Sequence, residues 1–406
     1  MLSPEENQAL TLVGPGTPAG DLLRRYWMPI GAAAELTPAS PTKFVRVLGE
    51  DLVLFRDGRG RVGLLADHCA HRGASLLYGR VEERGIACAY HGWLYDTSGN
   101  CLECPAEPAG SRFHMTVKQT AYPVQEFSGL LWAYLGPAPT PVIPRYDVFM
   151  RKDGRRRIVV QPTLDCNWFQ TMENAADPVH ADVLHYEPHQ QRGVRITNST
   201  RGNVDDIQSY TFYRVPYGLM KKRVHRDGTG NEHPLIFPNG LRVGNTIQIR
   251  TPVDDSRTMV FRVVFEPTPD GSLIEDEGEI PVEYTLPYKD PPSALYPSAH
   301  YFMRIIDVAG YGSGDWVQAQ DYMAWETQGQ NADRTSERLA TSDRGIVMLR
   351  EMMREQIELV QQGRDPLGIV RDPDHAIIDT NLDGDTVPFM RAGIPVGGVS
   401  SSRSSR

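Results

Sequence analysis

The chain has 406 residues, of which 40% are apolar and 23% charged, with a net charge of -9 and a pI near 5.7. This length suits one large domain or two, and the composition is that of an ordinary globular protein. The negative charge disfavours nucleic acid as a partner, because backbone binding needs a concentrated positive surface. We expect neither a membrane span nor an export signal, and therefore a cytoplasmic location.

The first part of the chain, residues 1–140, is predicted to form an antiparallel β domain. Residues 43–48 and 52–55 alternate as two strands of a hairpin, and Trp132-Ala-Tyr-Leu forms a further strand. Five of the nine residues from 136 to 144 are Pro or Gly, which is typical of a stiff linker. We place a domain boundary in this linker.

Two short motifs in this domain carry metal-binding residue types, Cys69-Ala-His71 and Cys88-Ala-Tyr-His91. Two thiolates and two imidazoles are the ligands of a Rieske [2Fe–2S] cluster, in which histidines replace the cysteines on one iron. A zinc site accepts the same residues, but zinc fingers pair the cysteines in one motif and the histidines in the other. We therefore predict a cluster held by loops at the tips of neighbouring hairpins.

The remaining cysteines are given no role. Five cysteines is an odd number, which disfavours a disulfide framework and fits a reducing compartment. Cys101 and Cys104 are expected to be free thiols on a loop that covers the cluster, and Cys166 a small core residue.

Residues 141–395 are predicted to form an α+β domain with an antiparallel sheet, because residues 205–310 alternate in strand fashion between Gly and Pro. Three segments have helical periodicity, namely residues 172–184, about 315–328 and about 342–362. The last helix is predicted to stop at Gly363. Residues 396–406 contain mainly Gly, Ser and Arg and are predicted to be a disordered tail.

The first of these helices contains Asp177-Pro-Val-His180 and His185. Two histidines and a carboxylate can hold an Fe(II) that keeps open positions for dioxygen and substrate. Asn174, Asp177 and His180 would share one helical face, whereas His185 requires a break between the histidines, which Pro178 and the helix end can supply. Asp177 is either the third ligand or a group that orients a histidine.

Three acids compete for the missing carboxylate. Asp315 follows a glycine-rich turn and precedes Gln318 by three residues, as expected for a helix cap. Asp321 lies nearly two turns into the helix, where an acid is expected to be partly buried and to need a partner. We therefore favour Asp321 over Glu326.

Together these residues resemble the oxygenase (alpha) component of Rieske non-heme iron oxygenases, in the group of phthalate dioxygenases and aromatic acid O-demethylases. The resemblance covers nearly the whole chain and includes segments outside the metal motifs. These segments are residues 13–20, Arg24-Arg-Tyr-Trp-Met-Pro, residues 250–255, Gln320-Asp321, residues 326–329, residues 333–338 and residues 342–345.

The resemblance implies a Rieske domain joined to a catalytic domain with a helix-grip antiparallel sheet flanked by helices, assembled head-to-tail into homotrimers. The residues carried over are the cluster ligands Cys69, His71, Cys88 and His91 and the mononuclear iron ligands His180, His185 and Asp321. Asp177 takes a bridging role, hydrogen-bonding His180 in its own subunit and His91 of the partner subunit. Asn174 matches an asparagine near the iron in some members.

The implied activity uses O₂ and electrons from a separate flavin and iron–sulfur reductase to hydroxylate, dihydroxylate or O-demethylate an aromatic substrate. NAD(P)H acts only through that reductase, because Gly14-Pro-Gly16 lacks the strand and helix that a dinucleotide fingerprint needs. Three alternatives stay open: an electron carrier without a mononuclear site, a zinc-binding structural protein, and an oxygenase acting on a neutral or nitrogenous substrate, for instance by N-dealkylation.

Basic residues in the second half suggest how a substrate could bind. Arg214, Arg242 and Arg250 are candidates to hold a substrate carboxylate, because a guanidinium binds carboxylates bidentately. The run Lys221-Lys-Arg223 is interpreted instead as a solvated surface or a docking patch for an acidic electron donor.

Overall fold

The computed structural model describes residues 1–185, 204–289, 301–306, 312–314, 316–375 and 377–380. The predicted tail and Asp315 lie outside these residues. None of the helices described is both long and apolar enough to cross a membrane.

The chain up to Tyr134 forms two short helices and three small antiparallel sheets. The helices are α1 (Pro4–Thr11) and α2 (Pro18–Leu23), and the strands are β1 (Trp27–Ala32), β2 (Thr42–Val47), β3 (Glu50–Arg56), β4 (Val62–Ala66), β5 (Arg80–Glu82), β6 (Gly85–Ala87), β7 (Leu94–Tyr95), β8 (Cys101–Glu103), β9 (Ala121–Tyr122), β10 (Val124–Phe127) and β11 (Leu130–Tyr134). The sheet orders are β1-β11-β10, β2-β3-β4-β9 and β5-β6-β7-β8. The prediction of an antiparallel β domain is confirmed.

The predicted hairpin joins β2 to β3 through a two-residue turn at Leu48 and Gly49. Both residues have positive φ, +50° and +79°, the conformation that suits the twist of a tight hairpin. The turn docks onto the larger sheet, because the Leu48 and Gly49 amides donate to the carbonyls of Pro252 and Val253, both at 2.9 Å. This contact fixes the β2–β3 hairpin against the second half of the chain.

The rest of the chain is built around one large sheet. Its elements are β12 (Arg145–Tyr146), α3 (Asp147–Met150), β13 (Gly154–Val160), α4 (Trp168–Ala176), α5 (Val179–Val183), β14 (Ile207–Val215), β15 (Gly218–His225), β16 (Gly230–Ile236), β17 (Gly240–Val243), β18 (Thr246–Asp254), β19 (Arg257–Pro267), β20 (Val282–Lys289), β21 (Tyr301–Ile306), β22 (Gly312–Gly314), α6 (Trp316–Thr327), α7 (Arg344–Gln361) and β23 (Ile377–Ile378). The ten-stranded order is β14-β15-β16-β17-β18-β19-β13-β20-β21-β22. Within it β13 and β20 run parallel and the other described pairs run antiparallel, so the predicted antiparallel sheet contains one parallel pair.

The two faces of this sheet pack against different partners. Leu219 and Leu241 share a core with residues of α4 and α7, including Met172 and Leu349. Ile247 and its neighbours in β18 and β19 share a second core with residues of β1 and β11. Because successive side chains of a strand point to opposite faces, the residues of β18 that alternate with Ile247 face the helices.

The helix α7 follows the predicted pattern closely. Leu349, Met353, Ile357 and Val360 are buried, and the helix ends just before Gly363, whose φ of +73° stops it.

A buried ion-pair network joins α4 to α7. Glu173 accepts hydrogen bonds from Arg334 at 2.7 Å and from Arg350 at 2.6 Å, and Arg350 also pairs with Glu337. Both arginines are almost fully buried. Since the two guanidinium groups share the Glu173 carboxylate, loss of its charge would leave buried positive charge poorly compensated.

We expect Glu173→Gln to lower the free energy of unfolding by about 3 kcal/mol, the cost of removing one partner from a buried ion pair. The matched control is Glu355→Gln, which breaks the exposed Arg214–Glu355 pair and should cost less than about 1 kcal/mol. Urea unfolding of the two variants measures both values, and equal losses would contradict a central role for Glu173.

Candidate metal centres

The two cysteine–histidine motifs lie on loops with the same backbone design. Cys69 follows β4 and Cys88 follows β6, and the amide of each cysteine donates to the carbonyl five residues later at 2.9 Å. The fourth residue after each cysteine is a glycine, Gly73 or Gly92, and its amide donates a hydrogen bond to the carbonyl of the cysteine. These glycines have φ of +75° and +72°, a conformation that side chains disfavour.

The four candidate cluster ligands separate into an inner pair and an outer pair. Cys69 and Cys88 are buried, whereas His71 and His91 are half-buried with ring centroids 4.5 Å apart. His71 Nδ1 is buried and has no hydrogen-bond partner among the residues that the structure describes. Inner thiols, adjacent outer imidazoles and an unsatisfied ring nitrogen fit a [2Fe–2S] cluster with two different irons.

Two residues that sequence reasoning missed support these loops. The Tyr95 hydroxyl lies 3.2 Å from Cys69 Sγ, and burial, together with the hydrogen bond to Cys69, raises the pKa of Tyr95. Tyr95 therefore keeps its proton and can donate it to the sulfur. Gln119 accepts from the Ala70 amide at 2.8 Å and donates to two carbonyls of the same loop. Neither residue belongs to a short motif that would have pointed to it.

The other cysteines differ partly from expectation. Cys101 lies in β8 rather than on a covering loop, because residues 101–103 pair with β7. Cys101 and Cys104 share a buried cluster with the two ligand cysteines, and their sulfurs are 3.6 Å apart without a disulfide bond. Cys166 is a buried core residue, as predicted.

The helix predicted to contain Asn174, Asp177 and His180 ends one turn earlier than expected. Asp177 ends α4 with an extended backbone (φ -97°, ψ 117°), so the predicted single helical face through Asn174, Asp177 and His180 is wrong. Pro178 then starts the short α5, which contains His180 and ends at Val183. The end of α5 at Val183 therefore lies between the two histidines, as the sequence requires. The break at Pro178 lies before both of them.

His180, His185 and Asp321 converge although α6 comes much later in the chain. Asp321 Oδ1 lies 3.2 Å from His185 Nε2 and 3.7 Å from His180 Nε2, and one donor atom of each residue lies within 4.8 Å of the others. Donors that bind one ion at about 2.1 Å and near right angles are about 3 Å apart. The three residues thus have the composition and spacing of a facial two-histidine, one-carboxylate iron site.

The other acids of the motif are used differently. Glu326 accepts a hydrogen bond from the Asp165 amide at 3.0 Å and is not part of the group formed by His180, His185 and Asp321. Asp177 Oδ2 lies 3.4 Å from His180 Nδ1, and its second oxygen accepts from the Val179 amide. Asp177 is therefore placed to orient His180, and Asp321 is the carboxylate at the shared centre.

Both imidazoles present the same nitrogen to the centre. Gln320 Oε1 lies 3.0 Å from His185 Nδ1, so an amide orients His185 as Asp177 orients His180. Burial raises the pKa of Asp321, but its hydrogen bond with His185 and its electrostatic interactions with His180, His185 and Arg250 outweigh that effect, and the net shift is downward. An ionised carboxylate suits a divalent cation. Asn174 Nδ2 lies 3.4 Å from the same carboxylate, as its predicted position implies.

A buried ion pair holds α5 against the sheet. Asp182 lies between the two histidines in sequence and accepts a hydrogen bond from the Tyr210 hydroxyl at 2.8 Å and another from Arg223. Lys221 is also buried, whereas Lys222 is half-exposed and pairs with Glu232. The interpretation of the 221–223 run as a solvated patch is therefore wrong for two of its three residues.

The three candidate substrate arginines have different surroundings. Arg214 is exposed and pairs with Glu355, and Arg242 is buried and pairs with Asp147. Because both have carboxylate partners, the structure does not support a substrate contact for either. Arg250 is buried on the helix-facing side of β18, close enough for its charge to lower the pKa of Asp321.

Comparison with known proteins gives the family. Residues 26–127 match the Rieske [2Fe-2S] domain, and residues 301–380 match a domain described as LigXa C-terminal domain like. The 5,5'-dehydrodivanillate O-demethylase oxygenase subunit of Sphingobium sp. (strain NBRC 103272 / SYK-6) is 37% identical over 92% of this chain and 84% of its own length. The chain is a Rieske non-heme iron oxygenase component. Phenoxybenzoate dioxygenase subunit alpha of Ectopseudomonas oleovorans is 34% identical over 89% of this chain and 87% of its own length.

Solved structures have the same fold as this Rieske oxygenase. Pseudomonas putida CBB5 NdmB superposes with a TM-score of 0.59 at 21% identity, covering 84% of this chain and 93% of that one. Membership in the family gives the enzyme a Rieske [2Fe–2S] cluster, a mononuclear Fe(II) and O₂ as co-substrate. The alternatives of a zinc-binding protein and a pure electron carrier are thereby excluded.

We expect Tyr95→Phe to lower the reduction potential of the cluster by about 40–60 mV, because a hydrogen bond to a ligand sulfur stabilises the reduced state by about 1 kcal/mol. Redox titration followed by the visible absorption of the cluster measures the shift. The control is Tyr122→Phe, which removes a hydroxyl that hydrogen-bonds Glu50 instead of the cluster ligands. An unchanged potential in Tyr95→Phe would contradict the assigned hydrogen bond.

Proposed function

We propose that this oxygenase component hydroxylates, dihydroxylates or O-demethylates an aromatic acid, using electrons from a separate reductase. The observation that carries the proposal is Arg250, a buried cation beside Asp321 that has no carboxylate partner among the described residues. We also propose the domain division at residues 1–140 and 141–395, and we expect a cytoplasmic location.

Within this proposal each metal group has its own set of residues. Cys69 and Cys88 hold one iron of the cluster, and His71 and His91 hold the other. The mononuclear iron is held by His180, His185 and Asp321. When bound, these groups deliver electrons singly and activate O₂ beside the substrate.

Arg250 is the proposed anchor for the substrate carboxylate. Arg250 is 1% exposed, and the hydrogen bonds of its guanidinium group within the described residues, at 3.4 Å and 3.2 Å, both go to the neutral Gln248. A buried guanidinium without a carboxylate is costly, and a bidentate carboxylate would satisfy it. The relatives named for dehydrodivanillate and phenoxybenzoate act on aromatic carboxylates by name, which supports the same substrate class here.

The proposed homotrimer rests on the surface around the cluster loops. His71 and His91 are half-buried, and the ring of Tyr90, which is 58% exposed, lies against His91 with centroids 3.8 Å apart. An exposed aromatic ring beside partly exposed ligands suits contact with another subunit. We propose that His91 of the partner subunit meets Asp177 there, so that electrons pass between subunits.

The test is a single turnover with both iron centres loaded and chemically reduced, under ¹⁸O₂, with a panel of aromatic acids that do or do not carry methoxy groups. Mass spectrometry is expected to find a labelled alcohol or diol, or formaldehyde from a methoxy acid. Arg250→Gln should raise KM for the active acid by about 10- to 100-fold, the effect of a lost charged hydrogen bond. Arg214→Gln is the control and should leave KM unchanged.

Absence of product from every acid would contradict the proposed substrate class. Turnover of a neutral or nitrogenous compound in the same assay would replace it. Unchanged KM in Arg250→Gln would remove Arg250 as the anchor.

A further inference from the structure

The sheet face beneath the metal-binding helices carries a second buried cation, Lys221. This residue is 8% exposed, and its ammonium group makes no hydrogen bond or ion pair within the part of the chain that the structure describes. It lies in β15 opposite His233 of β16. A buried ammonium without a partner is unusual, because desolvation of its charge is costly.

The direction of the Lys221 side chain follows from its neighbours. Two residues earlier, Leu219 packs in the core formed with α4 and α7, and two residues later, Arg223 holds Asp182 of α5. Since side chains two apart on a strand share a face, Lys221 points toward the same helices. Its charge interacts with the carboxylates of Asp177 and Asp321. Lys221 therefore faces the iron site.

The carboxylates around Lys221 make closer contacts with other residues. Burial lowers the pKa of Lys221 to about 8, so the ammonium stays mostly protonated at neutral pH. Burial and the charges of Lys221 and Arg223 lower the pKa of His233 to about 3, so His233 adds no charge. Asp182 is neutralised by Arg223, Asp321 faces the two histidines, and Asp177 lies 3.4 Å from His180 Nδ1.

Two cations, Lys221 and Arg250, thus remain on one buried face without a hydrogen-bonded carboxylate. They lie on different strands, β15 and β18, and their charges repel each other across the site. One carboxylate at Arg250 leaves Lys221 unsatisfied. A ligand with two separated anionic groups satisfies both.

We propose that Lys221 binds a second anionic group of the substrate, so that the preferred substrate is an aromatic compound with one carboxylate at Arg250 and a second carboxylate at Lys221. This inference rests on the proposed function as an aromatic acid oxygenase. Lys221 then acts as a specificity residue that separates dianionic from monoanionic ring substrates.

The experiment measures binding to the holoenzyme, with cluster and iron loaded, by isothermal titration calorimetry. The probes, all at neutral pH where the Lys221 ammonium is mostly charged, are benzoate and the three hydroxybenzoate isomers as monoanions and the three benzenedicarboxylate isomers as dianions. The wild type should bind at least one dianion more tightly than benzoate. Lys221→Met should weaken the binding of that dianion by about 10- to 100-fold and the binding of benzoate by less than about threefold.

Two further variants keep the result interpretable. Lys221→Arg keeps the charge and should restore most of the dianion preference. Lys222→Met removes the same charge from the exposed neighbour and should leave every affinity unchanged. The visible absorption of the cluster and the thermal midpoint of each variant establish that the protein is folded and loaded.

The outcomes separate this inference from the proposed function. If Lys221→Met weakens the binding of benzoate and of the dianion equally, or weakens neither, only the role of Lys221 is overturned. If the wild type binds and converts monoacids but binds no dianion more tightly than benzoate, the role of Lys221 is also overturned. The proposed function stays intact in that case. Failure of the wild type to bind any aromatic acid overturns both.

Discussion

The carboxylate of Asp321, whose side chain is 16% exposed, is the group on which the rest of the catalytic half depends. It brings α6 to the two histidines of the α4–α5 region, and Arg250 adds positive charge from the sheet below. Such a carboxylate is stable in a largely buried position because two imidazoles and the Asn174 amide contact it and the charge of Arg250 acts on it. Gln320 supports this arrangement by orienting His185.

The two loops that carry the cluster ligands are held in place by backbone hydrogen bonds rather than by charged side chains. Two loops of the same design bury their cysteines and expose their histidines, and glycines at Gly73 and Gly92 allow each loop to turn back on its cysteine. This asymmetry gives the cluster site two different sides. The sulfur side is buried, with the Tyr95 hydroxyl 3.2 Å from Cys69 Sγ, whereas the histidine side is partly exposed.

Short motifs in the sequence predicted the candidate metal ligands but not the residues that hydrogen-bond to them. The spacing of Cys69 with His71, the pattern of α7 and the stop at Gly363 are decided by neighbours in sequence, and each could be predicted. The roles of Tyr95, Gln119 and Gln320 depend on contacts between distant segments, which periodicity does not reveal. The same holds for Lys221, because a charged run on a strand is exposed or buried according to what packs above it.

Iron analysis of Asp321→Ala beside Glu326→Ala tests the central claim most directly. The account predicts that Asp321→Ala keeps the cluster iron and its visible absorption but loses the mononuclear iron, because the only carboxylate at the shared centre among the described residues is removed. Glu326→Ala should keep both. Retention of the mononuclear iron by Asp321→Ala, or its loss from Glu326→Ala alone, would contradict the account.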